Sequence, residues 1–121
     1  MADIQSIKKV NGGEGGDITS GDFFILTWAN MAAGDVGLPI TLAQYADRSV
    51  QVAGTFDGAT VVFEGTNDGV NYATLTDPQG NALSIISPKI EAVLEAVFKV
   101  RPRIQGGAGA VNITVSLLVR W

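Results

Sequence analysis

From Phe23 onward the chain is written in short β-type runs cut by turn residues, and in several of them the apolar residues recur at every second position. Period-two alternation is the pattern of a strand with one buried face. Such runs cover Phe23 to Met31, Val36 to Leu42, Ser49 to Gly54, Thr60 to Glu64, Tyr72 to Thr76, Ala82 to Ile86 and Val97 to Gln105, and a last begins at Val111. The last is the cleanest. Val111, Ile113, Val115, Leu117 and Val119 share one parity, and Asn112, Thr114, Ser116 and Arg120 share the other. Asp57-Gly58, Asn67-Asp68-Gly69 and Asp77-Pro78-Gln79-Gly80 supply turns, and Gly106-Gly107-Ala108-Gly109 a hairpin loop. The alternation assigns Val50, Val52, Val61, Phe63, Leu75, Ile113, Val115 and Leu117 to the core.

Proline and glycine modify the pattern. Gly37 and Pro39 weaken the second run, and Pro102 puts its strand at an edge or on a bulge. Ser87-Pro88 has the form of an N-cap followed by Pro at the first helical position. Ile90, Val93, Leu94, Val97 and Phe98 then recur at helical spacing, which predicts one or two helical turns near Lys89 to Glu95. About eight short strands and one short helix make an all-β antiparallel sandwich over residues 23–121. Residues 1–22 are of different material. Asn11 to Asp17 is Gly-rich, and the segment reads as a flexible, extended N-terminal arm that, if ordered, should lie on another chain.

At 121 residues the chain is one domain, and surface scaling lets about two-thirds of its surface be buried. Charged residues make up 17%, below the usual ~25%. There is no cysteine and no histidine. That excludes a disulfide framework and most zinc, copper, haem and His-triad chemistry, while leaving oxygen-ligated calcium or magnesium open. A net charge of -4 argues against nucleic acid as a partner. No apolar run approaches the ~20 residues that span a bilayer, so no membrane partner is expected. Met1 to Val10 is polar, without a signal-peptide core, and a soluble protein made in the cytosol is expected.

The candidate chemistry is sparse. Asp57, Glu64, Asp68 and Asp77 could pair as glycosidase carboxylates, but Asp57, Asp68 and Asp77 occupy turn positions that favour Asp for backbone reasons. Asn67 and Asp68 could offer oxygens to calcium, without the full calcium-loop pattern. Asn112-Ile113-Thr114 matches a glycosylation acceptor by chance, inside a strand. No nucleophile–base pair is legible, so no enzyme activity, catalytic residue, metal or cofactor is expected. Lys99, Arg101 and Arg103 form a basic stripe on one strand face, about 6.6 Å apart. Either a neighbouring strand counters them with Glu64 or Asp47, or they meet an acidic partner. Apolar residues on both faces of Phe23 to Met31, with Leu118 and Trp121 outside the inward register, leave more apolar surface than one core absorbs. The residues expected to touch a partner are therefore Phe24, Trp28, Arg101, Arg103, Leu118 and Trp121.

Asp47 to Phe56, Ala59 to Gly69 with its Glu-Gly-Thr-Asn-Asp-Gly turn, Asp77 to Leu83, and Val100 to Arg103 with Gly106-Gly107 carry a resemblance. Over about two-thirds of its length the chain resembles tailed-phage virion structural proteins, specifically capsid decoration or cement proteins. The resemblance implies a jelly-roll-like sandwich that binds the outside of the assembled head shell. Binding the shell but not its free subunits would stabilise it by linkage. The partners implied are the major capsid protein and further copies of the chain, as dimer or trimer. Two other readings stand beside it: a tail or baseplate structural protein, and a carbohydrate-binding receptor module whose site would be the loops carrying Trp28, Asn67, Asp68 and Tyr72.

Overall fold

A computed structural model of the chain describes residues 6–10, 23–42 and 44–120; among residues 6–10, only Ile7 has a described side chain. Its strands are β1 (Ser6–Val10), β2 (Phe23–Met31), β3 (Ile40–Thr41), β4 (Asp47–Thr55), β5 (Ala59–Thr66), β6 (Ala73–Thr74), β7 (Ser84–Ile85), β8 (Lys89–Ala92), β9 (Lys99–Gly106) and β10 (Asn112–Arg120). All pairings are antiparallel. One sheet runs β1-β2-β10-β4-β8, and the other β3-β9-β5-β6, with β7 also on β5. From β2 to β5 the chain changes sheet at every connection. It then stays beside β5 for β6 and β7 and crosses again at β8, β9 and β10. Two facing sheets of order 2-10-4-8 and 3-9-5-6 are the winding of a jelly roll, with β1 added at one edge.

The core is the two inward parities meeting. Val50 and Val52 of β4, Val61 and Phe63 of β5, and Ile113, Val115, Leu117 and Val119 of β10 are buried. Leu75 and Leu83, beside β6 and β7, close it from the loops. Asp57 and Gly58 both take positive φ, at 45° and 81°, in a tight turn closed by the Ala59 N–H donating to the Phe56 carbonyl at 2.8 Å, and this turn carries the chain from β4 in one sheet to β5 in the other. Asn30, at φ 55°, lies where the β2–β10 register slips, a bulge near the end of β2.

Three expectations need correction. Lys89 to Ala92 is a strand, and no helix occurs among the described residues. The backbone of β8 pairs with Ser49–Val52 of β4, which would otherwise present an open edge. The supposed helical stripe is split, because Val93 is buried while Ile90 and Leu94 are exposed. Second, β1 pairs with β2 of the same chain, whereas an ordered arm was expected to lie on another; residues 1–5 and 11–22 lie outside the described residues. Third, Pro102 is on an interior strand, but β3 pairs only with Lys99 and Val100. The missing N–H of Pro102 falls in that gap, where its carbonyl accepts from the Gly37 N–H at 2.8 Å. A Cβ on Gly37 would stand 2.6 Å from the Pro102 ring, so only glycine allows this approach.

Arg48 pins one end of the sandwich. Its parity on β4 is that of Val50 and Val52, so it points inward and is buried. Among the described residues no carboxylate meets it. Its guanidinium donates to the carbonyls of Tyr45 (2.5 Å), Leu42 (2.7 Å), Val97 (3.0 Å) and Glu95 (3.5 Å). One cation thus ties the β3–β4 connection to the β8–β9 connection. Burial lowers its pKa from the ordinary arginine value.

Candidate functional site

The sandwich has two outer faces, and they are chemically unlike. On the β9–β5 face the register sets Arg101 against Glu64 and Arg103 against Val62. Glu64 is almost fully buried although it points outward, because arginines cover it. Its Oε2 accepts from Arg101 Nε at 2.6 Å and its Oε1 from Arg103 Nε at 3.0 Å. Arg101 also lies 3.7 Å over the Tyr72 ring, and Arg103 reaches Gln105 Oε1 at 3.5 Å. Lys99 stands 5.3 Å over the Phe98 ring. Glu64 thus counters the stripe from the neighbouring strand, as one sequence reading expected. The balance is incomplete, since among the described residues of β9 and β5 three outward cations stand beside one carboxylate, which bonds the two arginines. Both Nε atoms are engaged by Glu64, and the two arginine side chains remain partly exposed.

The β2-β10-β4-β8 face is built of aliphatic and hydroxyl groups. One row across it runs Ile25, Leu118, Ser49 and Ala92, and the next Thr27, Ser116, Gln51 and Ile90. Ile25, Ser49, Gln51, Ile90, Ser116 and Leu118 line a shallow hollow of about 230 Å³. Ile90 stands at its rim, 62% exposed. The charged side chains that share this face's outward parity on β2, β10, β4 and β8 are Arg120 and Asp47, which close on each other at 2.5 Å at one end. Lys8 of β1 is the register partner of Ile25 at the sheet's margin.

The expected partner residues separate accordingly. Leu118 lies on the uncharged face beside Ile25. Arg101 and Arg103 lie together on the opposite one. Phe24 packs against the core, edge-on to Tyr45 at 5.6 Å, and lines an open apolar pocket of about 140 Å³ with Ile7, Leu42 and Val119. Trp28 is corrected outright. It is 0% exposed, with its indole N–H on the Leu38 carbonyl at 3.0 Å, so it can touch no partner. Trp121 lies outside the described residues.

The acidic turns serve their own backbone. Asp68 accepts from the N–H groups of Asn71 and Val70, both at 2.8 Å, and from the Asn71 amide and Thr66 hydroxyl. These bonds, that from the Asn71 backbone foremost, hold its pKa far below the usual carboxylate range. Asp77 likewise accepts from the backbone of Asn81 and Gln79, which lowers its pKa. Burial raises Glu95, but hydrogen bonds from the Thr76 hydroxyl and N–H outweigh it, and the net shift is downward.

Sequence reasoning missed Arg48, Ile90 and the Tyr72 stack. The first was available as parity, since Arg48 alternates in phase with Val50. Ile90 carried both a helical and a strand phase. The stack depends on the β5–β9 register and left no local signal.

Comparison with protein-family models finds no match, and no curated protein matches the chain. Among solved structures the chain is similar to the crystal structure of the SPBc2 prophage-derived protein YomS, with a TM-score of 0.60 and 13% identity over 96% of both chains. At that identity the likeness is one of fold: nearly the whole of each chain follows the same jelly-roll course.

Proposed function

We propose that this chain is a phage virion structural protein without enzymatic turnover, a capsid decoration protein that binds the outside of the assembled head shell and stabilises it. Its partners on this reading are the major capsid protein and further copies of itself. The observation that carries it is the β9–β5 face, where Arg101 and Arg103 share the Glu64 carboxylate and Lys99 lies over Phe98, in a chain of net charge -4. Arginines already held by Glu64 and Tyr72 lose little side-chain freedom when they meet a second carboxylate, and the guanidinium nitrogens not bonded to Glu64 can donate to it. An acidic patch on the shell is the matching surface. The fold likeness to a prophage-derived protein and the sequence resemblance to virion proteins support the same class. The carbohydrate reading loses ground, because Trp28 is buried and Arg101 occupies one face of Tyr72.

The test is sedimentation of the purified protein with head shells stripped of it. Cosedimentation is expected, with about tenfold weaker attachment for the Lys99→Gln, Arg103→Gln double variant, which leaves the Arg101–Glu64 pair intact. Removing both arginines is the poorer test, since it strands the Glu64 carboxylate. Protein that stays in the supernatant alongside intact shells refutes the assignment.

A further inference from the structure

The uncharged face asks for a different occupant from the basic one. In an isologous pair each residue near the two-fold axis meets its own kind, so a charged face repels its copy. The β9–β5 face, with three cations to one carboxylate, is unsuited to such a pairing. The opposite face suits it. Its central rows hold Ile25, Leu118, Thr27, Ser116, Gln51 and Ile90, and its Asp47–Arg120 pair sits at one end. Depletion of charge at the centre with polar groups at the rim is how interface cores differ from ordinary surface.

Size agrees. At ~3.3 Å per residue and ~4.8 Å between strands, β2, β10, β4 and β8 present roughly 500 Å² of flat sheet, or about 1,000 Å² for two copies before side-chain relief is counted. Specific interfaces begin at about that area. Shape agrees as well, since a protruding Ile90 stands beside a hollow lined in part by Ile25 and Leu118, and a two-fold operation sets each knob against the other copy's hollow.

We infer that the chain dimerises face to face through the outer surface of β2, β10, β4 and β8, with Ile90 of each copy seated in the hollow bounded by Ile25, Ser116 and Leu118 of the other. This deepens that part of the functional reading which calls for further copies of the chain. Self-association and shell binding are read out separately, so either can fail alone.

The experiment is sedimentation velocity of the full chain from about 1 to 100 μM. The wild type should run at twice the 12.6 kDa chain mass. Leu118→Asp and Ile90→Glu should each weaken the dimer at least a hundredfold. Ile90 is exposed on a short edge strand, so Ile90→Glu keeps the fold should Leu118→Asp lose it. Mixing Ile90→Glu with Leu118→Lys should restore a dimer that neither forms alone, because the proposed contact sets residue 90 of one copy against residue 118 of the other. A wild type that is monomeric at 100 μM overturns the inference, as does a dimer indifferent to both substitutions. A wild type that is itself monomeric and loses shell binding on Ile90→Glu would assign this face to the shell and overturn it equally.

Discussion

The two outer faces come from one chain and one alternation, yet they solve different problems. On β9 and β5 the outward positions hold Lys99, Arg101, Arg103 and Glu64, and the surface is organised by ion pairs and ring stacking. On β2, β10 and β4 the outward positions hold Ile25, Leu118, Ser116 and Ser49, where burial by a neighbour is the available driving force. A sandwich needs its inward parity to be apolar, while the outward parity is free to encode contacts. Here one sheet spends that freedom on charge and the other on its absence.

The comparison presumes a single rigid body, and the largest effect comes from breaking it. Arg48→Ala removes the donor to four carbonyls at the end where two connections meet. Leaving buried acceptors unpaired should cost about 3–5 kcal/mol, measured by urea unfolding, and Arg48→Lys should recover less than half. A loss under ~1 kcal/mol would mean that water replaces the guanidinium readily.

Glu64→Gln addresses the charged face alone. Gln keeps one acceptor oxygen, so one arginine bond is lost and the other becomes an ion–dipole contact, and the partly exposed arginines moderate the loss to about 1–2 kcal/mol. Self-association should be unchanged, because the substitution lies on the opposite sheet. A change in dimer strength would show that the faces are not independent.

Salt sharpens the contrast further. Raising ionic strength from 0.05 to 0.5 M should weaken shell attachment about tenfold through screening. Dimer strength should change less than about twofold, since the centre of that interface carries no charge. Equal salt slopes for the two reactions would contradict the division.

The smallest effect is that of acid on the loops. Asp68, Asp77 and Glu95 have folded-state pKa values below their unfolded ones. The unfolded state therefore binds protons first as pH falls. Their contribution to stability is complete above the unfolded carboxylate range of about 4 and is lost as pH drops below it. Melting temperature should hold level from pH 7 to about 5 and then fall, with a shallower fall for Asp68→Asn. A melting temperature that rises on acidification would reverse the assigned shifts.

Much of the fold was legible because parity is a local code. Val50, Val52, Val61, Phe63, Ile113, Val115 and Leu117 alternate in plain view, and all are buried. The segment after Pro88 was misread because residues spaced i, i+3 and i+4 also satisfy alternation in part, and the decision rested with the open edge of β4, which lies far away in sequence. Of the candidate site, the arginine stripe and Leu118 could be read from their own strands. Glu64 as the counter-charge could be named only as an option, and Tyr72 not at all, because both depend on which strand lies next to β9. Trp28 failed through parity itself: it shares the phase of Leu26, and that phase points inward.

The central claim is that two unlike faces do two jobs on one particle. A cryo-EM reconstruction of the particle assembled from the genome that encodes this chain tests it most directly. The account predicts the jelly roll on the outside of the head, with Arg101 and Arg103 turned to the major capsid protein and Ile25, Leu118 and Ile90 turned to a second copy. A particle in which the chain sits in the tail, or lies on the head with the β2-β10-β4 face open to solvent, would contradict it.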